Sequence, residues 1–115
     1  MIDTPWQGDA TSLVEAFRSG ERSPVEEMQA TLTAIEASDL NCFSFVDQER
    51  ALQAAKDADV SLPFGGIPMG IKELDSVQGW PDTKASLVFK DRIATKSSTT
   101  VDRIQTRGGA ALVGL

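Results

Sequence analysis

Histidine is absent from this sequence of 115 residues, and cysteine occurs once, as Cys42. Without histidine, neither a Ser-His-Asp nor a Cys-His centre can be assembled within the chain, and most transition-metal sites lose their commonest ligand. A lone cysteine excludes an internal disulfide, a CxxC site and a zinc knuckle. Cys42 is expected to be an ordinary core or half-buried residue. Aromatic residues make up only 6% of the chain. No segment approaches the ~20 consecutive apolar residues of a membrane helix. Met1-Ile2-Asp3-Thr4-Pro5 also lacks the basic-then-apolar order of a secretory leader. The expectation is a cytoplasmic protein with no membrane partner.

What remains is ordinary for a soluble globular chain: 41% apolar and 24% charged residues. The net charge of -6 is uneven, with residues 1–60 carrying 4 basic and 12 acidic side chains, and residues 61–115 carrying 7 and 5. The acidic half would repel nucleic acid, and the second half has no basic cluster interleaved with aromatics, so no nucleic-acid partner is expected. The acidic charges fall between periodic apolar positions and read as solvated helix faces.

Leu13, Val14 and Phe17 mark one face of a short helix ending near Ser19-Gly20. A second helix begins at Ser23, with Pro24 at its first position and Glu26 three residues after the cap, as in a capping box. Val25, Met28, Leu32 and Ile35 then give it one buried stripe. Phe43 to Val46 reads as a short β-like run. Asp47 caps a third helix with Ala51, Leu52 and Ala55 on its small face, expected to end between Ala58 and Val60. Leu62 to Leu74 then mixes glycine and proline with apolar residues, and Met69 to Lys72 is read as a short buried strand entering a loop. Asp75 to Lys96 is expected to be irregular, with a brief extended run at Leu87-Val88-Phe89. Ser98 caps a last helix using Val101 and Ile104; Gly108-Gly109 ends it, and Ala110 to Gly114 reads as a buried parallel strand. Helix, glycine turn and apolar strand are the pieces of an α/β unit.

Lys72 is the candidate functional residue. A lysine on a buried strand is disfavoured as an ammonium, and a neutral lysine can accept a proton from a serine hydroxyl as histidine does elsewhere. Glu73 would point to the opposite strand face. The alternative is an ordinary strand lysine, snorkelling or paired with Asp75 or Glu73. Ser76, Ser86, Ser97 and Ser98 are available as nucleophiles, but none lies in a G-x-S-x-G elbow. Gly65-Gly66 and Gly108-Gly109 form neither a dinucleotide nor a Walker motif. The prolines form no PxxP segment, and Trp80 is either a pocket wall or a loop anchor.

From Pro63 to Leu115 the chain resembles the amidase signature family. The resemblance begins with Phe64-Gly65-Gly66-Ile67-Pro68-Met69-Gly70-Ile71-Lys72-Glu73 and continues through Asp75, Gly79, Pro81, Thr83 and Ser86. It extends to Thr100, Val101, Arg103, Ile104, Gly109, Ala110 and Gly114 in the family's order. The resemblance implies an α/β fold: N-terminal helices plus the first strands of a mixed-sheet α/β/α core, incomplete at this length. Residues 1–60 would form a helical region with a short strand, and 61–115 the start of the core. The implied chemistry is a Ser–cis-Ser–Lys hydrolase acting on a small-molecule amide through an acyl-enzyme, with Lys72 as the catalytic lysine. No metal or organic cofactor is implied. Glu73 replaces the usual aspartate, and Lys84-Ala85 stand where the family often has small residues, including a glycine. The Trp80-Pro81-Asp82-Thr83 version leans toward stand-alone bacterial amidases over glutamine amidotransferase subunits. Both serines of the family lie in a Gly- and Ser-rich segment that this sequence does not contain. The chain alone is therefore expected to be inactive and to need the remainder of an amidase core, in cis or in trans. The other possibility is a non-catalytic interaction domain, against which stands the unpaired edge expected beside Ala110 to Val113.

Overall fold

The computed structural model describes residues 4–115; the Met1–Asp3 part of the leader reading lies outside the described residues. Helix α1 spans Ala10–Ser19, with the Asp9 side chain accepting the Ser12 amide at its start. Helix α2 spans Pro24–Ala37 and carries the complete capping box, Ser23 Oγ accepting from Glu26 N and Glu26 Oε2 accepting from Ser23 N. Helix α3 is Gln48–Lys56, capped by Asp47. It stops short of the expected Ala58–Val60 because Asp59 organises its own turn, its carboxylate accepting the Ser61 amide at 3.0 Å and the Ser61 hydroxyl at 2.6 Å.

Two strands follow, β1 (Pro68–Gly70) and β2 (Ala111–Gly114), paired in parallel with Met69 opposite Leu112. Proline has no N–H to give a ladder, and Pro68 occupies the first position of β1, where that loss is tolerated. Between the strands lie a 3₁₀ turn at Leu87–Phe89, helix α4 at Thr99–Arg103 and a π-helical turn at Ile104–Gly108. The extended run expected at Leu87-Val88-Phe89 is therefore corrected to a turn. Ser86 draws it closed, its hydroxyl accepting from Val88 N and its carbonyl from Phe89 N, and no neighbouring strand competes for those groups.

β2 is the centre of the molecule. Its alternating side chains go to two separate cores, as the strand period requires. Ala111 and Val113 pack with Met28 and Leu32 of α2 and Ala51 and Ala55 of α3. Leu112 packs on the opposite face with Ile71, Val77, Trp80, Val101 and Leu115. Helices on one face and α4 with the Trp80 loop on the other give an α/β/α layering.

The edge expected to be open beside β2 is occupied. Phe43 to Val46 does not form a full strand, but Val46 makes an antiparallel bridge to Gly114. Leu115 N donates to Phe45 O at 2.9 Å and Asp47 N to Val113 O at 3.0 Å. The sheet is thus mixed, with β2 between a parallel and an antiparallel neighbour. Gly114 permits this approach, because a Cβ there would stand 2.0 Å from Phe45 O.

Candidate active site

The carboxyl ends of β1 and β2 lie side by side, the edge where open α/β sheets build their sites. Ile71 N donates to Gly114 O at 2.9 Å as the last bond of this pairing, and Lys72 is the next residue out. An open cleft of about 510 Å³ lies there, floored by Gly70–Glu73, walled by Asn41–Ser44 and bounded by Leu115. Phe43 lays its ring against the Gly70 backbone, so one wall meets the floor directly.

Lys72 differs from its expected setting. β1 ends at Gly70, and Lys72 is an exposed residue opening a turn, in which Asp75 N donates to Lys72 O at 2.9 Å. The desolvation argued from a buried strand is therefore not supplied by these residues. Among the described residues the Lys72 ammonium has no ion-pair partner. Glu73, which also lines the cleft, accepts the Thr83 hydroxyl at 2.7 Å; with β1 ending at Gly70, the strand alternation expected to part it from Lys72 does not extend this far.

The four candidate serines are not brought to Lys72. Ser76 Oγ donates to Asp82 Oδ1 at 2.9 Å, and Ser86 and Ser98 accept helix-start amides. Ser97 Oγ accepts the Gln78 amide at 2.9 Å. The hydroxyl that does line the cleft is Ser44, bonded to Leu115 O at 3.3 Å. The sequence carries no chemical sign of that wall; its one local marker is Asn41, at φ 53°, a conformation asparagine tolerates better than most residues. Cys42 shares the wall and is exposed, which corrects the core or half-buried reading. It sits on the irregular segment beside the open cleft, so no apolar layer covers it.

Trp80 is the loop anchor of the two readings left open. It is 1% exposed, donates Nε1–H to Asp47 Oδ2 at 2.8 Å and meets Phe45 edge-on at 5.5 Å. The Arg50 guanidinium lies 5.1 Å from its ring centroid. Trp80 thereby holds both Phe45, the residue after the cleft wall, and Asp47, the cap of α3. Asp82 forms ion pairs with Lys84 at 2.8 Å and Arg92 at 3.1 Å. The hydrogen bond from Lys84 is the main cause holding the Asp82 carboxyl below its ordinary value. Among the described residues, no group of three or more His, Cys, Asp or Glu is placed to hold a metal ion. No described helix is long and apolar enough to cross a membrane.

The family model for Amidase matches residues 26–114. The chain belongs to the amidase signature family. It is 38% identical over 96 residues to the A subunit of glutamyl-tRNA(Gln) amidotransferase from Methylacidiphilum infernorum, covering 82% of this chain and 19% of that protein. It is 35% identical over 107 residues to the corresponding protein of Akkermansia muciniphila, covering 92% of this chain and 23% of the relative. Among solved structures, 6-aminohexanoate cyclic dimer hydrolase in complex with substrate superposes with a TM-score of 0.85 at 28% identity, over 93% of this chain and 23% of that one. The chain thus spans about a fifth to a quarter of these amidase-family relatives. Its layered helices and mixed sheet are part of the family's α/β fold.

Proposed function

We propose that this chain supplies the lysine-bearing part of an amide-hydrolysing centre, working with a serine-bearing segment through an acyl-serine intermediate. The carrying observation is the place of Lys72: beyond the carboxyl end of β1, on the floor of the 510 Å³ cleft, with an ammonium unpaired among the described residues. Lys72 is the proton-transfer residue in this reading, taking a proton from a serine hydroxyl and returning one to the leaving amine. Because Lys72 is exposed here, the desolvation that would favour its neutral form has to come from whatever covers the cleft. The substrate is a small-molecule carboxylic amide.

The test joins this chain to the rest of an amidase core, by fusion or co-expression, and measures ammonia release from simple aliphatic and aryl amides. Activity should appear only in the joined protein and fall at least 10³-fold in Lys72→Met, about 4 kcal/mol of transition-state stabilisation. Undiminished hydrolysis in Lys72→Met would sink the assignment.

A second reading has its own support: two of the relatives described above are amidotransferase A subunits, at 35% and 38% identity. In that reading the amide is glutamine, and ammonia release depends on glutamyl-tRNA(Gln). Release from glutamine with indifference to simple amides would select it.

A further inference from the structure

Lys84 lies close to Lys72 in sequence and is used quite differently. Lys84 and Ala85 both have positive φ, 50° and 56°, a left-handed pair of non-glycine residues. Such backbone persists only where its surroundings hold it. Here the holding contacts are identifiable. The Lys84 ammonium has three protons, and its acceptors are Leu74 O at 2.9 Å, Ser76 Oγ at 2.9 Å and Asp82 Oδ1 at 2.8 Å. Arg92 grips Asp82 from the other side, with Nε 3.1 Å from Oδ2 and 2.7 Å from the backbone carbonyl. Thr83 Oγ1 donates to Glu73 and accepts the Ala85 amide at 3.2 Å, steadying the left-handed pair.

The Lys84 and Thr83 side chains bond from the 82–85 segment to Glu73, Leu74 and Ser76, the residues that leave Lys72. The turn after β1 is itself fastened to the start of α4, with Ser98 N donating to Ser76 O at 2.9 Å and Gln78 N to Ser97 Oγ at 2.9 Å. The Ser76–Lys84 contact resembles a nucleophile–base pair, but the ammonium's protons are all engaged and Ser76 faces the Asp82 carboxylate. Lys84 is a donor hub.

We propose that Lys84 is a positioning residue for Lys72, its ammonium stapling the turn after β1 to the left-handed 83–85 segment and so setting where the Lys72 side chain enters the cleft. The proposal rests on the reading of Lys72 as the proton-transfer residue. It explains why a lysine and an alanine are kept in a conformation that glycine adopts more readily.

The test uses the ¹³C,¹⁵N-labelled chain, lysine side-chain Nζ resonances and amide hydrogen exchange. In Lys84→Met the Asp75 and Ser86 amides should exchange at least tenfold faster, while Ala111 in the β1–β2 pairing keeps its rate. The Lys72 Nζ resonance, assigned by its loss in Lys72→Met, should shift while that of Lys56 stays in place. Ser76→Ala removes one acceptor without changing charge and should give the same pattern in weaker form; it decides the matter if Lys84→Met does not fold. An unmoved Lys72 resonance with an unchanged Asp75 exchange rate overturns the proposal, whatever Lys72 does in catalysis. Full hydrolysis by Lys72→Met in the joined protein removes the catalytic reading instead, and leaves the measured staple standing.

Discussion

At the scale of single residues, charged side chains in this molecule act according to how many partners reach them. Glu27 is 3% exposed, yet its carboxylate accepts the Trp6 amide at 3.0 and 3.2 Å and pairs with Arg22. Arg22 also bonds Thr4 O at 3.1 Å and lies 5.3 Å from the Trp6 ring centroid. Glu27→Gln would leave a half-buried guanidinium without its counter-charge, so we expect a loss of about 3 kcal/mol in urea unfolding, with red-shifted Trp6 emission. Lys84 is saturated in the same sense, whereas Lys72 opens onto a cleft. That contrast is not legible in the sequence, where the apolar run before Lys72 suggests the more buried lysine and nothing near Lys84 marks its three acceptors. A strand running through Lys72 would bury it; β1 ends two residues earlier, and exposure depends on what lies over a sheet edge. Trp80 is equally ambiguous from sequence, since its deciding partner, Asp47, is 33 residues away.

At the scale of elements, local chemistry explains what is readable. α2 is legible because its start is written within four residues, Ser23 to Glu26, and its stripe within one helix. Ser23→Ala should lower stability by about 1 kcal/mol, seen as a shifted urea midpoint with an unchanged slope. The strand β2 is legible from its unbroken apolar run, but its second neighbour is not. Phe43 to Val46 reaches β2 by a bridge at a single pair, and nothing short-range specifies that antiparallel approach. Gly114 records it only in hindsight. Gly114→Ala places a methyl group against Phe45 O and should cost about 3 kcal/mol or more, because the backbone facing it can yield only by parting the pairing. Far-UV circular dichroism during urea unfolding measures that loss; an unchanged midpoint would mean that Phe45 is not held against β2. The amidase-family resemblance, by contrast, is carried by ordered motifs over the second half of the chain, which is why fold and family are recognisable while the Asn41–Ser44 wall is not.

At the scale of the whole molecule, acid should be a selective stress. Asp9, Glu26, Asp59 and Asp82 all titrate below their ordinary values of 3.8 and 4.5, through hydrogen bonds to Ser12, Ser23, Ser61 and Lys84 respectively. A carboxyl with a lowered folded value binds fewer protons folded than unfolded. Its contribution is therefore complete above the ordinary value and disappears as pH falls through the lower one. Urea midpoints should hold between about pH 7 and 5 and drop below about pH 4; a midpoint that rises in acid would contradict the bonds at these four sites. A different consequence follows from the central place of β2. The Ser44 hydroxyl and its partner carbonyl at Leu115 are 71 residues apart, and the apolar faces of α2 and α3 rest on Ala111 and Val113. During synthesis, then, the helices emerge long before the surface that orders them, and their apolar faces wait uncovered until β2 clears the ribosome. Chaperone protection of the growing polypeptide would matter most over that interval.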